Sequence, residues 1–300
     1  NAPTYFYGLL AGIPSLLGPL AQVVAANLLD KYQRRLPLVL IPIAVQALCF
    51  LPLGLLPFLA QPAEEGTAAH GLTPGLAVFL AAITIYYITA HLATPTWSSL
   101  ISDLVPEAQR GNFFARLARA PTLVALVVQL AVGAALYGAG HRDAASLVFG
   151  ACFVLAFLSR VVSVLIVRKM EDPPYYSGPD AVFTFWQFSR RARESNFVKF
   201  VIFTTVLYFG AYLAGPYFLP YWIDDLKFAP WQWVALSAGG TFTSIVTMLA
   251  WGRFSDRFGN KRTMKYCAFL ISLVPFGWLL TTNFYLLLLT QMLGTIFWTG

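Results

Sequence analysis

The sequence predicts an all-α protein threaded repeatedly through a membrane. Three observations carry that prediction. Only 11% of the 300 residues are charged and 58% are hydrophobic, where a soluble globular chain carries about 25% charged residues. The apolar residues fall in long runs of the length a helix needs to cross the hydrocarbon, about 20 residues. The basic residues cluster in every second gap between those runs. Mean hydropathy is +0.67. This composition excludes an ordinary cytosolic enzyme, a disordered chain and a nucleic-acid-binding domain. The net charge of +7 reports on loop orientation rather than on a polyanionic partner.

Nine spans can be read, at 5–29, 36–59, 74–97, 113–138, 144–168, 197–219, 230–252, 263–281 and 284–300. Pro and Gly recur inside them, as in GIPSLLGPL (12–20) and LPLGLLPFL (51–59). In water that would argue against helix. In lipid, neighbouring helices re-satisfy the freed backbone groups. An outer-membrane barrel would need alternating segments of roughly ten residues, and these runs are longer and uniformly apolar. Cys49, Cys152 and Cys267 lie within apolar runs at no common spacing, so they read as buried small hydrophobes. The chain opens on Asn1 with no basic stretch before an apolar one, so no signal peptide is expected, and both ends read as cut.

The gaps alternate in charge. Lys31, Arg34 and Arg35 follow the first span; Arg110, Arg116 and Arg119 follow the third. Arg168, Lys169, Arg190, Arg191, Arg193 and Lys199 follow the fifth. Arg253, Arg257, Lys261, Arg262 and Lys265 follow the seventh, making seventeen of the 20 basic residues. The other gaps hold only Arg142 and Lys227, with the acids Glu64, Glu65, Asp143, Asp224 and Asp225. This is a strong positive-inside bias, so the basic loops are expected to be cytoplasmic and Asn1 outside.

Two of the basic gaps resemble one another. One reads ANLLDKYQRR (26–35) and the other GRFSDRFGNKR (252–262). Each has an acid followed by a base, then a basic pair. The acids, Asp30 and Asp256, are 226 residues and six spans apart. A repeat on that scale points to two homologous halves. Gly252 is expected to allow close helix approach, Gly259 a tight turn, and Asp256 a bond to a neighbouring helix N-terminus.

At these turns the chain resembles the major facilitator superfamily, whose loop G-x-x-x-D-[RK]-x-G-[RK]-[RK] lies between helices 2 and 3 and, less strictly, between helices 8 and 9. The second copy fits at Gly252, Asp256, Arg257, Gly259 and Lys261; Asn260 departs and Arg262 lies one step on. The first keeps Asp30, Lys31, Arg34 and Arg35, with Ala26 and Gln33 where glycines are expected. The spans then correspond to helices 2 to 10. The resemblance implies two helical bundles about a pseudo-two-fold: 1–168, a cytoplasmic linker at 169–196, and a partial second bundle at 197–300. It implies secondary active or facilitative transport of a small solute by alternating access, with a coupling proton or cation for a symporter or antiporter. It also implies a monomer in the plasma (bacterial inner) membrane, its lipid bilayer the partner. The twin turns are expected to form the cytoplasmic gate, with Asp256 meeting the helix start near Arg110 to Arg116. In the linker, EDPPYYSGPD (171–180) reads as turn-rich. Residues 181–197 read either as a short interfacial helix or as an ordinary basic flank.

Other residues are candidates for the solute path. Arg160 lies inside a span, eight residues before Arg168, and an ionisable group at such depth is functional by default unless it snorkels. His91 has the chemistry to carry a proton. Tyr208 and Tyr212, four apart, share a helix face. Gln129, like Gln46 and Gln291, is either an interhelical hydrogen bond or a ligand. Asp103 and Glu107 are expected partners for arginines. No Asp or Glu lies mid-span. Enzyme signatures, phosphate loops and metal-ligand spacings are absent, so no catalytic residue, cofactor or metal is expected. A sensor or binding protein on a transporter scaffold is the alternative function.

Overall fold

The computed structural model describes residues 3–59, 73–106, 110–139, 142–174 and 196–300. The described residues form long helices and no strand. They are α1 (Thr4–Tyr32), α2 (Arg35–Leu59), α3 (Pro74–Leu104), α4 (Arg110–Ala139), α5 (Arg142–Val167), α6 (Asn196–Ala214), α7 (Pro230–Phe258), α8 (Asn260–Leu280) and α9 (Phe284–Thr299). These match the nine predicted spans. Eight of the apolar helices are long enough to cross a membrane, α9 being shorter. The interfacial helix considered for 181–197, Glu107 and the side chain of Arg110 lie outside the described residues.

Local chemistry sets the helix ends. Thr73 accepts from the Leu76 N–H at 3.3 Å, with Pro74 opening α3, and Asn283 accepts from Tyr285 and Leu286 to start α9. Such caps satisfy backbone donors that have no intrahelical partner. Helix α6 does not run on uniformly. After Ala214 the chain tightens to a 3₁₀ turn at Gly215–Tyr217, then widens to a π turn at Tyr221–Asp225. Pro216 and Pro220 explain the irregularity, since each removes a backbone donor from the ladder.

The chain divides into two compact units, both discontinuous in sequence. The first comprises Asn1–Arg110 and Phe149–Tyr217; the second comprises Gly111–Val148 and Phe218–Gly300. The division at Tyr217 falls in the irregular stretch after α6.

In the first unit, α1 and α2 both pack on α3. Small residues line the contact: Ala21, Ala25, Ala82, Ala93, Thr89 and Thr96 are buried. Lipid offers no hydrophobic drive between helices, so close packing of small side chains supplies the attraction. Val39, Ile43 and Val167 form a cluster with Trp97 and Met170 near the basic end of these helices. In the second unit α7, α8 and α9 pack together around Trp222, Leu236, Trp278 and Leu287. The Trp222 and Trp278 rings stack at 5.7 Å.

Large apolar side chains point outward from both units. Leu279 and Leu280 are 81% and 84% exposed. In water such surfaces would aggregate; in a bilayer they are the solvated face. Threonine hydroxyls along the helices turn back to carbonyls one turn earlier, as Thr89 does to Ile85 and Thr243 to Gly239, both at 2.7 Å. That satisfies polar groups where no water is available.

Candidate functional site

The two related turns share one hydrogen-bond offset and a positive φ at the cap, but not one backbone conformation. After Asp30, α1 ends at Gln33, whose φ is +52°, with the Gln33 N–H bonded to Leu29 O at 2.8 Å. After Asp256, α7 ends at Gly259, whose φ is +84°, with the Gly259 N–H bonded to Ser255 O at 2.8 Å. Acid, acceptor and positive-φ residue therefore recur at one offset, although ψ differs, 20° at Gln33 and 147° at Gly259. Both turns demand positive φ, which glycine meets without steric cost. Gln33 pays that cost in the first turn, which is why the glycine expected there from the family pattern can be absent without loss of the turn.

The first turn is locked to its unit by one arginine. Arg35 is 2% exposed and pairs with Asp103 at 2.6 Å. Its Nη1 donates to Ser99 O at 3.1 Å. The backbone N–H groups of Arg35 and Leu36 donate to Asp172 Oδ1 and Oδ2 at 3.3 and 3.2 Å. Asp172 thus caps the N-terminus of α2 from a distant segment, where the helix dipole favours a negative charge. Arg35 and its two acids tie the start of α2 to the end of α3 and to the segment after α5. The expected partnership of Asp103 with an arginine is met by Arg35. Asp172 was not foreseen: a linker acid gives no local signal that it will cap a helix 136 residues earlier. Asp30, Lys31 and Arg34 remain exposed, and Lys31 Nζ sits 5.5 Å from the Tyr32 ring centroid.

The second turn is more open. Asp256, Arg257, Gly259, Lys261 and Arg262 are exposed, and Asp256 forms no ion pair with a described residue. Ser255 hydroxyl bonds Asn260 across the turn, and Arg257 lies over the Phe258 ring at 5.3 Å. Among the described residues nothing lies within 4 Å of where a Cβ on Gly252 would sit. The close helix approach expected there is not made to any of them.

The solute-path candidates fall in different places. His91 Nδ1 accepts from Gln22 Nε2 at 2.9 Å, joining α3 to α1; the proton of the neutral ring is then on Nε2. Gly18 makes room for that ring, since an added Cβ would come within 2.8 Å of Nε2. Arg160 Nη2 reaches Tyr86 Oη at 3.4 Å in the same unit. Tyr208 and Tyr212 share a face as expected and stack at 5.8 Å, but are 47% and 62% exposed. In the second unit Gln129 accepts from Thr241 at 3.0 Å. It lines a cleft with Trp222, Trp233 and Ser237, of about 610 Å³ including its open mouth. Trp222 carries a buried indole N–H with no partner among the described residues. Gln46 is 2% exposed and its Oε1 is likewise unmatched.

Spans of this length, outward apolar faces and charged turns at helix ends define an integral, multi-pass α-helical membrane protein. The family model of the Major Facilitator Superfamily matches residues 2–300, and the chain belongs to that family. The crystal structure of a D-xylose-proton symporter superposes with a TM-score of 0.62 at 14% identity, covering 100% of this chain and 71% of that one. No curated protein sequence matches the chain.

Proposed function

We propose that the protein carries a small solute across the plasma membrane by alternating access, and that the two acid-base turns are its cytoplasmic gate. One observation carries this reading most: two turns 226 residues apart share the same acid, the same cap hydrogen bond and a positive-φ cap residue, and one of them is anchored by a buried arginine. Six spans separate them, so both turns fall on the same side, and the positive-inside bias makes that side cytoplasmic. Family membership supports transport of small solutes. On this reading the duplicated halves are 1–168 and 197–300, joined by the cytoplasmic segment 169–196.

Arg35, Asp103 and Asp172 make the first turn a rigid body with its helix ends, leaving Asp30 and the exposed bases free to engage and release. Asp256 performs the corresponding task in the second half. A transporter similar to a proton symporter also needs a proton carrier. His91 is the candidate, because protonating Nδ1 would reverse its bond with Gln22, the ring then donating to Gln22 Oε1, and so couple a proton to the contact between α1 and α3.

The test is solute flux in proteoliposomes with the full-length protein. Asp30→Asn and Asp256→Asn each slow flux about tenfold or more, by removing charge-assisted bonds of the size usual for ionised groups. External acid changes the rate, and His91→Gln abolishes that response. Unchanged flux in both acid variants contradicts the gate. A rate indifferent to pH contradicts the coupling alone.

A further inference from the structure

The gate leaves one charge unexplained. Arg160 lies on α5 seven residues before its end at Val167, roughly 10 Å at 1.5 Å per residue. An arginine at that depth often bends its side chain to the nearest interface. This one does not. Helical side chains lean toward their own N-terminus, which for α5 is the Arg142 end and not the basic end. The guanidinium meets Tyr86 Oη, and Tyr86 lies twelve residues into α3 with eighteen still to run. The arginine therefore reaches into the middle of the span.

Its only described polar partner is that phenol, at 3.4 Å, a long hydrogen bond. A guanidinium carries five N–H donors and does not lose its proton in a protein. No acid lies mid-span anywhere in the sequence, and Arg160 forms no ion pair with a described residue. Around it the wall is apolar. The Phe50 ring stands 5.4 Å from Tyr86 and 6.5 Å from Phe153. An apolar wall strengthens electrostatic attraction within it. Among the described residues, then, a fixed positive charge and a phenol stand together against aromatic rings with no acid to balance them, the composition of an anion site.

We propose that Arg160 and Tyr86 bind a small anion through a carboxylate or phosphate group, so that the solute carried is anionic. This deepens the transport reading and rests on it. The guanidinium presents paired N–H groups that suit two oxygens of one anionic group. Tyr86, which accepts from Arg160 and keeps its own O–H, adds a third donor.

The experiment measures binding on the full-length protein in detergent, by thermal shift and tryptophan fluorescence. Inorganic phosphate and succinate are the two anionic probes, with glucose as the neutral probe and chloride to match ionic strength. One anion raises Tm by several degrees at millimolar concentration and glucose does not; which anion does so separates phosphate from carboxylate. Arg160→Gln abolishes the shift, Arg160→Lys keeps a reduced one, and Tyr86→Phe weakens binding about fivefold, the size of one lost hydrogen bond. The proposal is overturned if neither anion shifts the protein, or if Arg160→Gln responds as the parent does. Should Arg160→Gln not fold, unchanged affinity in both Arg160→Lys and Tyr86→Phe overturns it equally. Binding that depends on Arg160 without flux in liposomes upholds this site and counts against the carrier reading alone.

Discussion

Arg35 concentrates most of the described charge chemistry at one residue. It is buried and ion-paired, whereas its sequence neighbours Lys31 and Arg34 are exposed. No periodicity separates these three bases. What distinguishes Arg35 is contact with Asp103, from a helix end 68 residues on, and with Asp172, 137 residues on. The pairing predicts an asymmetry. Asp103→Asn leaves a buried guanidinium without its counter-charge and should cost about 1–3 kcal/mol, discounted from the fully buried case because Asp103 is 48% exposed. Arg35→Met removes the buried charge and leaves Asp103 half in water, so it should cost less. Thermal unfolding of the two variants in detergent checks the order; a larger loss for Arg35→Met would show that packing and the Ser99 bond outweigh the charge.

At the scale of the element, the two turns differ in how they meet the same backbone demand. Gly259, at φ +84° and ψ 147°, sits where side chains are scarcely tolerated, while Gln33, at φ 52° and ψ 20°, occupies the ordinary left-handed well. Gly259→Ala should therefore destabilise by about 1–3 kcal/mol, and Gln33→Gly should be neutral or stabilise by less than about 1 kcal/mol. Denaturant midpoints would show it; equal losses at both positions would contradict the difference in backbone conformation between the two turns. The helices themselves were legible, because twenty apolar residues between charged turns leave little choice in lipid. The break after Ala214 was less so. The span predicted at 197–219 contains Gly215 and Pro216, residues that spanning helices often absorb, and only the packing of Phe218 and Trp222 on Trp278 shows that the chain changes character there.

For the whole molecule, the alternation of charge between spans and the 226-residue repeat sufficed to identify the family. They did not reveal the compact units. Grouping by sequence would leave α4 with its neighbours, but α4 clusters with Phe218–Gly300, and α6 with α1, α2 and α3. Which helix packs on which is decided by the small residues and aromatics on each face, and one sequence does not show which faces meet. The candidate site was legible only in part. A local pattern singled out Asp30 and Asp256, and the structure places both at exposed helix ends. No such pattern singled out Asp172, whose role is to cap a helix far away in sequence.

The most direct measurement is the side of the membrane on which each turn lies. In a background lacking Cys49, Cys152 and Cys267, Lys31→Cys and Arg257→Cys would be labelled with a membrane-impermeant maleimide in right-side-out and in inside-out vesicles. Both positions should react only when the cytoplasmic face is presented. Labelling of the two from opposite faces would end the account of a duplicated cytoplasmic gate.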